Sequence, residues 1–177
     1  KGDSLSQDIW NSNLNEKGEW ETAKHASSAL NRDQFNTLFY ISPDGNRMLI
    51  GGDYKDGINW GPGFSFIERA GNTWGEPHGL IIKKFDKLCR GEYSSAFLHN
   101  DNKTLILSFS EQEDSKSNDL YVSFLEENNK WSEPKPLGTA INTDYDETTP
   151  FMAADGITLY FASDRPGGYG GIDLYYT

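Results

Sequence analysis

Residues 131–177 read WSEPKPLGTAINTDYDETTPFMAADGITLYFASDRPGGYGGIDLYYT, and this stretch is the clearest copy of a unit that recurs along the chain. The offset of 111 residues that carries Trp20 onto Trp131 also carries Asp8 onto Asp119, Asn31 onto Asn142, Asp33 onto Asp144 and Asp44-Gly45 onto Asp155-Gly156. A middle copy lies halfway. Trp74 opens it, Asp101-Asn102 stands where the others have Asp-Gly, and Asp119-Leu120-Tyr121 closes it. The Trp-to-Trp steps are 54 and 57 residues. A near-constant period of this length, with about four short strands per unit, is the sequence mark of a propeller-type array.

The last copy carries a family resemblance. Pro150-Phe151-Met152-Ala153-Ala154-Asp155-Gly156, then Leu159-Tyr160-Phe161-Ala162-Ser163-Asp164, then Gly171-Ile172-Asp173-Leu174-Tyr175 resemble the TolB-like, WD-like β-propeller repeat. The likeness is strong in the third copy, moderate in the first and weak in the second, where Leu-Tyr-Phe becomes Leu105-Ile106-Leu107. It implies an all-β fold and a protein of the bacterial envelope, periplasmic, outer-membrane-associated or extracellular, of the kind often joined to OmpA-like peptidoglycan-binding domains. Such repeats serve binding modules, assembly scaffolds and hydrolase accessory domains alike, so function has to be argued from sites.

The expected fold is therefore all-β, with about three four-stranded blades belonging to a larger propeller of about five to eight blades. The units are a partial blade over 8–24, blades over 31–81 and 90–138, and an incomplete blade over 145–177. Strands are predicted over 35–42, 47–53, 64–69 and 73–81, then 93–99, 104–110, 120–125 and 130–137, then 148–154, 158–163 and 172–176. Hairpin turns fall at Asp44-Gly45 and its counterparts, where the backbone needs positive φ. Residues 21–31 have a helical tint from Ala23, Ala26, Ala29 and Leu30, but their place in the repeat makes them a connection. Little helix is expected. Trp20, Trp74 and Trp131 recur and are assigned to packing between neighbouring blades. Two final strands at one end and three initial strands at the other predict open sheet edges, satisfied by further blades of the same polypeptide or by a second copy in a homodimer.

Composition sets limits on partners. With 27 Asp and Glu against 16 Lys and Arg, the formal charge is −11 and the pI about 4.6, which disfavours nucleic acid. Lys83, Lys84, Lys87 and Arg90 form the only basic cluster, read as a solvated edge and loop. No apolar run is long enough to insert in a bilayer as a helix. The single Cys89 can form no internal disulfide, and with His25, His78 and His99 scattered it makes a poor nucleophile.

No GxSxG elbow, HExxH pair or sialidase-type Asp box occurs, so no catalytic residue, cofactor or metal is assigned. The loops entering each first strand, and those joining second to third strands, share one face, where propeller ligands usually bind. That face is predicted to gather Arg32, Asp33 and Gln34, Glu111 to Asp114, and the binding candidates Tyr54, Trp60, Asp144, Tyr145, Asp146, Glu147, Arg165 and Tyr169. Trp60 and Tyr169 do not recur between copies, which favours contact with a partner over packing. The carboxylates of Asp144, Asp146 and Glu147 suit calcium in kind but lack EF-hand spacing, so turn-forming and solvated roles are expected. The function expected is a non-catalytic module for protein–protein interaction or scaffolding in the envelope. The alternatives are a glycan-binding or glycan-processing propeller at the cell surface, or the accessory propeller of a hydrolase.

Overall fold

A computed structural model describes residues 7–32 and 36–177. Residues 1–6, and with them part of the polar start of the chain, lie outside the described residues, as do Asp33 and Gln34 of the expected loop face and Phe35 of the first expected strand. The architecture is all-β, built from antiparallel sheets that follow one another along the chain. The only helical turns among the described residues are Phe85–Leu88 and a 3₁₀ turn at Glu127–Asn129. No helix among them is long and apolar enough to cross a membrane.

An N-terminal hairpin pairs Trp10–Asn11 with Lys24–His25. The first sheet orders Leu38–Ile41, Arg47–Gly51 and Phe64–Ala70, with Thr73–Trp74 and His78–Gly79 both on the outer side of the last. The second orders Ser95–Leu98, Thr104–Phe109, Asp119–Phe124 and Lys135–Pro136. The third has Glu147–Met152, Leu159–Ser163 and Asp173–Tyr176.

The repeat survives in hydrogen-bond detail. Trp10 pairs with His25 and Asn11 with Lys24, with a bridge from Leu14 to Trp20. Two repeats on, Tyr121 pairs with Pro136 and Val122 with Lys135, with a bridge from Leu125 to Trp131. The side chain of Asn31 accepts from Ile9 N–H at 2.7 Å and donates to Ile9 C=O at 3.0 Å. Asn142 does the same to Leu120, at 2.9 Å each way. These asparagines recur because each ties the outgoing chain back to an equivalent place, Ile9 beside the first hairpin strand and Leu120 in the third strand of the second sheet. Both partners are main-chain groups that need satisfying when buried.

The three equivalent hairpin turns explain the Asp-Asn of the middle copy. The turn residue after Asp has φ of 68° at Gly45, 56° at Asn102 and 68° at Gly156. Asn is among the few residues with a side chain that enter this region readily. The preceding carboxylate fixes each turn: Asp101 Oδ1 accepts from Lys103 and Thr104 N–H at 2.7 and 2.9 Å, and Asp155 Oδ1 from Ile157 and Thr158 N–H at 2.9 Å.

Alternation along the strands dictates the stacking. In the second sheet, Leu105, Leu107 and Phe109 face the first sheet beside Leu49, Phe64 and Trp131, while Ile106, Phe97 and Leu120 face Leu159 and Phe161 of the third. Both faces are apolar because both are covered. Leu105, Ile106 and Leu107 are almost wholly buried, each contributing about 1.5–3 kcal/mol of transfer free energy. A third cluster joins Ile9, Ala26 and Leu30 to Met48, Ile50 and Ile67, and so seats the N-terminal hairpin on the first sheet.

Three strand expectations need correction. The strand expected over 73–81 breaks at Pro77 and that over 130–137 at Pro134, since proline supplies no N–H to a ladder. Ile81–Ile82 leaves the first sheet altogether and runs parallel to Lys130–Trp131. The basic stretch is in part a short helix, anchored by Phe85, whose ring lies 5.5 Å from Phe64 and 5.3 Å from Phe109. Among the tryptophans, Trp131 is buried between the first two sheets and Trp74 is half-buried against the cluster under the hairpin, but Trp20 is 72% exposed. Nothing in the described chain lies against that side of the hairpin, so the packing role assigned to Trp20 is not realised there.

Candidate functional site

The connection from the second sheet to the third carries most of the expected site residues, and the structure divides them between support and surface. Glu147 opens the first strand of the third sheet and is completely buried. Its Oε1 accepts from Thr143 Oγ1 at 2.7 Å, Ser163 Oγ at 3.0 Å and Arg165 Nη2 at 3.0 Å, and its Oε2 from Thr143 N–H at 2.8 Å. Arg165 also donates to Ile141 C=O at 2.6 Å, and its guanidinium lies 5.0 and 4.9 Å from the ring centres of Phe161 and Tyr175. A buried charge persists only when paired and hydrogen-bonded in this way. Glu147 and Arg165 are thus the internal support of the loop face, a correction to their assignment as ligand contacts. Two repeats earlier, Asn36 fills the place of Glu147 and accepts from Arg32 N–H at 2.9 Å.

Above this support lies an open cleft of about 580 Å³ between Glu111, Asp119, Tyr121, Asp144 and Tyr145. Tyr121 hydroxyl donates to Glu111 Oε1 at 3.1 Å. Burial, the neighbouring charge of Glu111 and its hydrogen bond, and Asp119 together push the Tyr121 phenol far above its ordinary range. Burial first, then Glu147 and Glu111, raise the Asp119 carboxyl. Asp146 sits just outside, where burial and the charges of Asp164 and Glu147 outweigh the hydrogen bond its Oδ1 accepts from Asn118 N–H at 2.8 Å, so its carboxyl is raised as well. Ser110, Ser115, Ser117 and Thr143 add hydroxyls around the rim. A site so rich in acceptors suits a ligand that brings positive charge or hydrogen-bond donors, and repels phosphate.

Asp119 belongs to the Asp-Leu-Tyr segment that closes the middle copy, and the sequence does not single it out as a site residue. Its counterparts are occupied: Asp8 by His25 at 2.9 Å and Asn36 at 3.3 Å, and Asp173 by Tyr169 and Gly170 N–H at 2.9 and 3.1 Å. The Asp119 carboxylate has no such partner among the described residues and lines the cleft. Periodicity concealed it. The signal available in the sequence was that Glu111, in the loop joining the second and third strands of this sheet, and Asp144, in the connection leaving it, fall on the same expected loop face as the start of the third strand.

The remaining expected residues are scattered. Tyr54 is 4% exposed and packs with Met48, Ile50 and Ile67, so its ring is core and cannot meet a ligand, a second correction. Trp60 is 69% exposed beside the Lys55 ammonium, 5.9 Å from the ring centre, and Tyr169 is fully exposed. Neither lines a cavity with Asp144 and Tyr145. Asp144, Asp146 and Glu147 do not converge on one point, and no group of three His, Cys, Asp or Glu among the described residues is placed to hold a metal. On the opposite rim a second cleft, of about 540 Å³, is bordered by Asp44, Arg47, Glu68 and Arg69, with Arg47 and Glu68 already paired at 2.7 Å.

Comparisons with protein-family models, with curated proteins and with solved structures find no match for this chain.

Proposed function

We propose that the chain is part of a β-propeller and acts as a non-catalytic module that binds or scaffolds proteins of the bacterial cell envelope, in the periplasm, at the outer membrane or outside the cell. The propeller reading is supported by the first strands of successive sheets, Leu38–Ile41, Ser95–Leu98 and Glu147–Met152, which neighbour one another in order. Along them Tyr40, Phe97 and Phe151, one from each copy, are in ring contact at 5.9 and 4.9 Å. The compartment rests on the resemblance to the TolB-like repeat.

The observation that carries the binding role is the unoccupied Asp119 carboxylate, facing the cleft with Glu111 and Asp144. A lysine or arginine of a partner protein can lay its stem along Tyr145 and bring its charge to these groups. Titration calorimetry with a short Lys- and Arg-containing peptide, an acidic control peptide and neutral oligosaccharides tests this. Binding of the basic peptide alone is expected, weakened at least tenfold by Asp119→Asn combined with Asp144→Asn, and weakened by salt. Equal affinity for the acidic control refutes it. The glycan reading is favoured by the half-exposed Tyr145 beside four hydroxyl side chains, since sugars combine ring stacking with hydrogen bonds. Oligosaccharide binding in the same titration supports that second reading.

A further inference from the structure

The two outermost faces of the described chain are copies of two faces that already pack together inside it. On the hairpin, Trp10, Leu14 and Trp20 are 59, 55 and 72% exposed. Two repeats on, they become Tyr121, Leu125 and Trp131, which belong to the cluster between the first and second sheets. The matched strand pairings place Trp10 where Tyr121 stands and Trp20 where Trp131 stands, so this correspondence is one of geometry as well as sequence.

At the other end the third sheet exposes Tyr160, Leu174 and Tyr176 at 41, 80 and 76%. Tyr160 pairs with Tyr176 and Ala162 with Leu174, as Leu49 pairs with Phe66 and Gly51 with Phe64 two repeats earlier. Leu49, Phe64 and Phe66 are the first sheet's side of the same cluster, the side that receives Tyr121, Leu125 and Trp131. One open face is therefore a copy of the donor side of an existing interface, and the other a copy of its acceptor side.

We infer that the third-sheet face of one molecule is the seat for the N-terminal hairpin face of a second copy of this chain, so that copies associate head to tail. The inference is independent of the acidic cleft. It is also distinct from pairing through sheet edges, because the contact is face on face, with Trp20 taking the place that Trp131 holds between the sheets. Such an interface joins two different surfaces, so every added copy presents a fresh hairpin face and a fresh sheet face. The assembly grows until a ring closes, or continues as a filament.

The experiment is sedimentation of the full chain up to about 1 mM, with single variants and their mixture. The wild type is expected to gain mass with concentration and to pass beyond the dimer. Trp20→Asp and Leu174→Asp each remove one face at an exposed position, and each is expected to weaken self-association at least tenfold. Tyr176→Asp provides a second sheet-face variant, and circular dichroism checks that all are folded. Mixed, Trp20→Asp retains its sheet face and Leu174→Asp its hairpin face, so the pair is expected to form a heterodimer that stops at twice the monomer mass. A wild type that stays monomeric throughout overturns the inference. So does association that survives both substitutions, or a mixture that fails to form the capped heterodimer.

Discussion

Replacing Glu147 by alanine tests whether the loop face depends on a buried charge. The carboxylate is fully buried and accepts four hydrogen bonds, from Thr143 N–H and Oγ1, Ser163 Oγ and Arg165 Nη2, at 2.7 to 3.0 Å. Its loss strands the guanidinium of Arg165, which is itself largely enclosed. Removing one partner of a buried ion pair costs about 3–5 kcal/mol. At roughly 2–4 °C per kcal/mol for a chain of this size, that lowers the melting temperature by about 6–20 °C. Glu147→Gln keeps an acceptor for Thr143 N–H but puts an amide donor where Oε1 accepts from Thr143, Ser163 and Arg165, so it loses the charge and one of the two acceptor oxygens and should cost about 1.5–3 kcal/mol. Urea unfolding of Glu147→Ala, Arg165→Met and the double variant gives the coupling, expected at about 2 kcal/mol or more, near the upper range for residues in contact. A single-variant loss below about 1 kcal/mol, or a coupling indistinguishable from zero, refutes the view that this pair supports the loops.

Trp131→Ala should cost about 3–5 kcal/mol, because the ring is 3% exposed between two sheets, whereas Trp20→Ala should change monomer stability by no more than about 0.5 kcal/mol; denaturant midpoints decide. Burial raises the Asp101 carboxyl, but hydrogen bonds from Lys103, Thr104 and His99 prevail and bring it down to about 2. A depressed acid stabilises above its unfolded pKa and loses that contribution as pH falls toward the folded one. Asp101→Asn should therefore cost about 1 kcal/mol near neutrality, allowing for screening of a side chain 39% exposed, and the gap to wild type should close between about pH 4 and pH 2. A gap unchanged across that window contradicts the assignment. Burial pushes the Cys89 thiol up to about 11, so alkylation of the folded protein near pH 8 should be much slower than after denaturation; equal rates indicate an accessible thiolate.

What the sequence determined on its own follows from short-range rules. The offset between Trp20 and Trp131 matched Asn31 to Asn142 and the Asp-Gly turns to each other, and matched residues make the same local contacts, because each contact lies within one hairpin or its adjoining connection. The unbroken apolar run Leu105-Ile106-Leu107 falls in the second sheet, the one covered on both faces. Only the tertiary structure decided which copies of a repeated residue are occupied. Asp8, Asp119 and Asp173 are equivalent in sequence, yet two are held by hydrogen-bond donors and one opens on a cleft. Trp20 and Trp131 are equivalent too, yet only Trp131 has a sheet against it. Tyr54 and Arg165 look like loop residues from their Gly-rich surroundings, but long-range packing draws one into the core and the other onto Glu147. Local pattern fixes what a residue can do within its own turn or strand. Its exposure and its partner depend on which other sheet is stacked against it, and that contact spans a distance along the chain that no local pattern records.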